Sequence, residues 1–207
     1  MNRRVAWRRK MTRQTLEALS DEQLMAMLAD GQMEPLGALF VRYGGMVERA
    51  LGRLAPEISR AELEELGQEV FLTLSDTAAR YEERTRLRAW LYGIAVRKAQ
   101  SWRRTTWLRR KLLGRHGSVG PGLGSRSTTS PEKEVEMRQE ATRVLSRLPR
   151  EQQEVLLLHA VEGFTGEEIA QILGVRPKTV WTRLHRARRA ALAAREGGVE
   201  TARDGEP

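Results

Sequence analysis

Residues 114–131, GRHGSVGPGLGSRSTTSP, contain five glycines and two prolines and offer no apolar face to bury. Glycine loses the most backbone freedom on ordering and proline removes an amide donor, so no stable helix or strand is expected to cross this stretch. It divides the 207-residue chain into two lengths, each able to close only a modest core.

On both sides of this break the apolar residues recur at helical spacing, and no β-pattern stands out. Ser20 and Gln23 form a capping-box pair ahead of Leu24, Met27 and Leu28, and Gly31 stops that run. A second helix is expected over 34–54, with Leu36, Leu39, Phe40, Tyr43, Val47, Ala50, Leu51 and Leu54 on its core stripe. A third, over 61–79, turns Leu63, Leu66, Val70, Phe71 and Leu74 inward and leaves Glu62, Glu65, Glu69 and Asp76 outward. A fourth, over 85–111, is apolar at Leu87, Trp90, Leu91, Ile94 and Ala95 and then becomes basic. Further helices are expected over 132–147, 149–162, 166–173 and 177–194. The fold class is therefore all-α, two small helical domains joined by a flexible linker. The expected organisation is a basic tail at 1–19, domains at 20–113 and 132–195 flanking the linker, and a disordered tail at 196–207.

The charge is uneven. With 36 Lys and Arg against 27 Asp and Glu the formal net charge is +9, which favours a polyanionic partner. Between Arg97 and Arg115 there are eight basic residues and no acidic one; residues 176–195 carry seven basic residues and again no acid. Trp102 and Trp107 stand within the first of these runs, where aromatic rings can stack on bases or pack against neighbouring chain. Trp90 is assigned to the core. The N-terminal arginines are followed by no apolar stretch long enough for a signal or a membrane span, so no membrane insertion is expected and a cytoplasmic location is. The absence of cysteine agrees with a reducing compartment.

Residues 165–189 fit a helix-turn-helix, the second domain's DNA-reading element. Thr165 and Glu168 pair as a capping box, Ala170 lets the helices approach, Gly174 supplies a left-handed turn and Pro177 suits a helix start. Along the second helix Val180, Leu184, Ala187 and Ala191 form an inward stripe. The outward face carries Lys178, Thr179, Thr182, His185 and Arg189, flanked by Trp181 and Arg186. Such a face suits the major groove, base edges near the helix start and phosphates farther along. The competing reading is a helical hairpin with a solvated basic face.

Two separated stretches then carry a resemblance. TGEEIAQILGVRPKTVWTRLHRAR, within residues 147–192, resembles the fourth conserved region of bacterial sigma factors of the extracytoplasmic-function type. LEELGQEVFLTL (63–74) followed by LRAWLYGIAVRKAQSWRR (87–104) resembles their second region. The resemblance implies a protein that binds core RNA polymerase and directs it to promoter DNA, with an anti-sigma factor as a further partner. It implies that the second domain reads the minus-thirty-five element as duplex. The first domain would capture the minus-ten element as an opened strand on Tyr81, Arg97, Arg103 and Arg104. Glu65, Gln68 and Glu69 fall where the family contacts the polymerase clamp. Arg97 stands where the family commonly has asparagine, Leu87 where phenylalanine is usual, Gly93 at a common basic position, Lys178 at a frequent glycine and Trp181 at a frequent basic residue. An apolar contact from Trp181 to a thymine methyl or a sugar is the corresponding expectation.

Enzyme chemistry finds no foothold. His116, His159 and His185 are scattered, no nucleophile elbow or phosphate loop is present, and Glu64 points aside from Glu65 and Glu69. No cofactor or metal is expected. Two alternatives remain at this stage: a sigma-like adaptor that does not melt DNA, and a free-standing helix-turn-helix regulator.

Overall fold

The computed structural model describes residues 13–82, 86–112, 145 and 147–203. They belong to two compact units, one within residues 1–122 and one within 123–207, and every regular element among the described residues is helical. The linker 114–131, the start of the basic tail, nearly all of the helix expected over 132–147, and residues 204–207 lie outside the described residues.

The first unit is built from α1 (Arg13–Glu17), α2 (Asp21–Ala29), α3 (Glu34–Leu54), α4 (Arg60–Thr77) and α5 (Leu87–Leu112), with one 3₁₀ turn, Ala78–Arg80, after α4. Side-chain caps set two of the starts. Ser20 and Gln23 exchange hydrogen bonds at α2, as expected, and Ser59 and Glu62 do the same at α4. Gly31 at φ +83° turns the chain from α2 into α3. Helices α3, α4 and α5 pack on one another, and Leu24, Met25, Leu39, Val47, Leu51, Leu74, Leu91 and Ile94 are fully buried in the resulting core. All residues from 91 to 96 on α5 are buried, because that stretch meets α3 and α4 together.

Several expectations are corrected here. Residues 13–17 are not tail but a short helix: Leu16 is buried, and Arg42 from α3 donates to the carbonyls of Glu17 (3.1 Å) and Leu19 (2.9 Å). A distant arginine, rather than local propensity, holds this piece down. Arg42 and Tyr43 also grip the Asp21 carboxylate, and burial first, then that hydrogen bond, pushes the Tyr43 hydroxyl well above its ordinary pKa. Phe40, expected in the core, is 50% exposed and rests against the buried Phe71 ring at 5.0 Å. The helical stripe is wider than the face that α4 and α5 cover, so its edge stays in water.

The second unit consists of α6 (Arg150–Leu156), a π turn (Leu157–Val161), α7 (Gly166–Leu173) and α8 (Pro177–Arg203). Val155, Leu158, Phe164, Ile169, Val180, Leu184 and Ala187 form its core. The stretch expected as one helix over 149–162 changes to wider winding at Leu157. The last helix, expected to end near 194 with a disordered tail from 196, continues to Arg203.

Candidate nucleic-acid interface

In the second unit Thr165 and Glu168 complete the expected capping box (3.2 and 2.9 Å), giving α7 a defined start. Gly174 ends it at φ +65°, ψ +35°, and the Val175 amide donates back to the Ala170 carbonyl at 3.0 Å. This left-handed residue swings the chain into α8. There Val180, Leu184 and Ala187 are buried, which turns the opposite side outward. Lys178, Trp181, Thr182, His185, Arg186 and Arg189 are all exposed, and Thr179 is half-buried. The Thr182 hydroxyl donates to the Lys178 carbonyl at 2.9 Å, one turn earlier. No acidic residue interrupts this face from Arg176 to Arg189, so its field is uniformly cationic.

Sequence reasoning missed what Trp181 touches. Its ring lies over Gly166, and the His159 ring meets it edge-on at 6.2 Å. His159 Nδ1 is in turn 3.2 Å from the Phe164 carbonyl. One hint was present in the sequence: glycine directly after a helix cap is a weak helix former and needs a reason to be there.

In the first unit α5 has two faces with different fates. Toward α3 and α4, Lys98 pairs with Glu69 at 2.9 Å, the Trp102 indole donates to Glu62 at 3.1 Å, and Arg103 donates to the Leu54 carbonyl at the end of α3. Trp102 is therefore part of the fold and not an open stacking platform. Arg103, expected among the minus-ten residues, has its guanidinium engaged in capping α3. Hydrogen bonds from Ser59 lead the causes that hold the Glu62 carboxyl below its ordinary pKa, and the Trp102 indole adds to them.

Away from α3 and α4, Arg97, Ser101, Arg104 and Leu108 are exposed at helical spacing. Trp90, two turns before Arg97, is half-buried and meets the Tyr81 ring edge-on at 5.9 Å. Its indole nitrogen is buried without a hydrogen-bond partner among the described residues. Partial loss of hydration against the protein surface lowers the pKa of the exposed Arg97 guanidinium from its usual value. The surface thus sets Tyr81 and Trp90 at one end of a line of cations. Trp107, 61% exposed, has the Lys111 ammonium 5.1 Å from its ring centre.

On α4, Glu65 and Gln68 are exposed as their helical phase required, whereas Glu69 is half-buried and paired with Lys98. Leu72, one turn beyond Gln68, is 55% exposed. Glu62, expected outward, is instead drawn into its cap and the Trp102 bond. No group of acidic or histidine side chains among the described residues is arranged to hold a metal ion, and no described helix is long and apolar enough to cross a membrane.

Two family models match in order along the chain, sigma-70 region 2 over residues 39–109 and sigma-70 region 4 over residues 138–190. The chain belongs to the sigma-70 family. The RNA polymerase sigma factor NccH of Alcaligenes xylosoxydans xylosoxydans is 29% identical over 173 residues, covering 81% of this chain and 90% of that protein. The ECF RNA polymerase sigma-E factor of Haemophilus influenzae is 26% identical over 179 residues, covering 83% and 93%. These relatives make it a sigma-70 protein of the extracytoplasmic-function type. The fold is shared with the sigma factor RpoE of Bartonella quintana, solved with the anti-sigma factor NepR, at a TM-score of 0.62 and 19% identity over 76% of this chain and 94% of that one. Region 2 holds the Tyr81, Trp90 and Arg97 surface, and region 4 holds α7 and α8 as far as Ala190. A free-standing regulator built on the helix-turn-helix alone leaves the region 2 match unexplained.

Proposed function

We propose that this sigma-70 protein binds core RNA polymerase and directs promoter-specific initiation of transcription. The observation that carries this reading is the acid-free cationic face of α8, held outward by a glycine-turned helix-turn-helix. In this scheme α8 enters the major groove of the minus-thirty-five element. Lys178, Thr179, Thr182 and His185 lie near the base edges, Arg186 reaches a base or the backbone beside it, and Arg189 meets phosphate.

The first unit takes the minus-ten element as an opened strand. Unstacking a base costs a few kcal/mol, and stacking on an aromatic ring returns about 1–3 kcal/mol per base, so rings set beside cations are the groups such a strand needs. Tyr81, Trp90, Arg97 and Arg104 supply them. Arg103 supports this surface from behind by fixing α5 to the end of α3. Glu65, Gln68 and Leu72 on α4 form the contact with core polymerase, and Glu69 contributes through its pair with Lys98. An anti-sigma factor is the natural partner that would hold the protein inactive, as NepR accompanies RpoE in the related structure. The protein acts in the cytoplasm, takes no cofactor, and leaves bond-making to the polymerase.

Reconstitution with core polymerase and run-off transcription from the promoter upstream of its own gene test this reading. Co-purification with core and a discrete transcript are expected. Failure to co-purify overturns it, and binding without permanganate-reactive thymines replaces it with a non-melting adaptor.

A further inference from the structure

We infer that Trp181 is the positioning residue of the recognition helix: it braces α8 against the first residue of α7, and base selection rests on its neighbours. The inference builds on the assignment of α8 as the helix that reads duplex DNA. Its geometric basis is independent of that assignment.

Two glycines of the helix-turn-helix are needed for opposite reasons. Gly174 has open space around it and is required by its left-handed backbone, φ +65°. Gly166 has no such backbone, yet a Cβ there would stand 2.6 Å from Trp181 Cζ2 and 2.9 Å from Cε2, closer than carbon atoms pack. The Nε1 position follows at 3.3 Å. The missing methyl group at Gly166 is the seat of the indole.

The same ring meets His159 edge-on at 6.2 Å, and His159 holds the Phe164 carbonyl at 3.2 Å. Trp181 therefore ties together the π turn, the start of α7 and its own helix. With 48% of its surface still exposed it stands at the DNA-facing side, but the ring is laid back on α7. An indole donates one hydrogen bond and cannot offer the paired donors with which arginine reads guanine. What it supplies is register: the angle of α8 on α7 decides which side chains reach the groove, and a site loosened by about 1 Å loses its function.

The test is a double-substitution cycle in the full chain: Gly166→Ala, Trp181→Ala and both together. Amide hydrogen exchange over 166–189 and holoenzyme transcription from single-base variants of the upstream element are the readouts. Gly166→Ala is expected to raise exchange in α7 and α8 several-fold, because the indole must leave its seat to admit the methyl group. In the Trp181→Ala background the added alanine is expected to change exchange by less than about twofold, since the clash has gone.

Trp181→Ala is expected to lower transcription from every upstream variant by a common factor while leaving their ranking intact. If the two substitutions act additively on exchange, the brace is refuted. Relaxed preference at one base pair in Trp181→Ala makes Trp181 a base reader and overturns the positioning role. Should Gly166→Ala fail to fold, the double variant and Trp181→Ala still decide between these outcomes. A protein whose Lys178→Ala and Arg186→Ala variants leave transcription unchanged has lost the recognition-helix assignment, while the exchange cycle continues to report on the brace.

Discussion

Arg97, Arg103 and Arg104 lie within three turns of one helix, and their surroundings give them different work. Arg103 donates to the last carbonyl of α3, and a bond of that kind from a charged group contributes about 1.5–3 kcal/mol. Arg103→Ala is expected to lower stability by that order in urea unfolding. Arg97→Ala and Arg104→Ala should leave stability within about 0.5 kcal/mol and instead reduce permanganate-detected opening at the minus-ten element. Arg186→Ala is expected to weaken duplex binding at the upstream element by about 1–3 kcal/mol, measured by titration of promoter fragments; unchanged preference among sequences would place Arg186 on phosphate. Glu62 makes a pH prediction. Its folded pKa lies below the unfolded one, so its stabilisation is complete above the ordinary carboxylate value of about 4.3 and is lost as pH falls through the folded value. Wild type and Glu62→Gln should therefore differ in stability near neutrality and converge under acid, as followed by circular dichroism.

Among the elements, the pairing of α7 with α8 depends on its two ends. Thr165 closes the N-terminal amides and Gly174 turns the chain at positive φ. Thr165→Ala should cost about 1 kcal/mol through the lost cap, and Gly174→Ala about 1–2 kcal/mol because a side chain is strained in the left-handed region. Hydrogen exchange across residues 166–189 reports both. In α5 the division is along the helix: its first half is buried by α3 and α4, and from Arg97 onward it carries cations of which Arg97 and Arg104 are exposed. Sequence periodicity located this helix to within two residues at its start and one at its end. It did not separate Trp102, which bonds Glu62, from Trp107, which stands in solvent, because both occur in the same basic run.

At the scale of the molecule, the net charge of +9 is concentrated in two acid-free runs, and association with promoter DNA should be correspondingly salt-dependent. Each phosphate contact removed lowers the slope of log affinity against log salt by about 0.9. Arg189→Ala in the reconstituted holoenzyme should reduce the slope by about that amount while preserving sequence preference, as fluorescence anisotropy at several salt concentrations would show. A slope unchanged by Arg189→Ala places that side chain off the backbone.

The sequence by itself determined the helical class, the break between two units, the caps at Ser20 and Thr165, the turn at Gly174 and the outward cationic stripe of α8. Each follows from local rules, a side chain bonding a nearby amide or a spacing of three to four residues, so neighbours along the chain contain the information. Tertiary structure alone decided the rest. Glu17 and Leu19 are tied to α3 by Arg42, Phe40 is left half in water, Arg103 is withdrawn onto α3, and Trp181 is seated on Gly166. In these cases the deciding atom lies far along the chain, and whether a side chain is free for a partner depends on which distant element reaches it first.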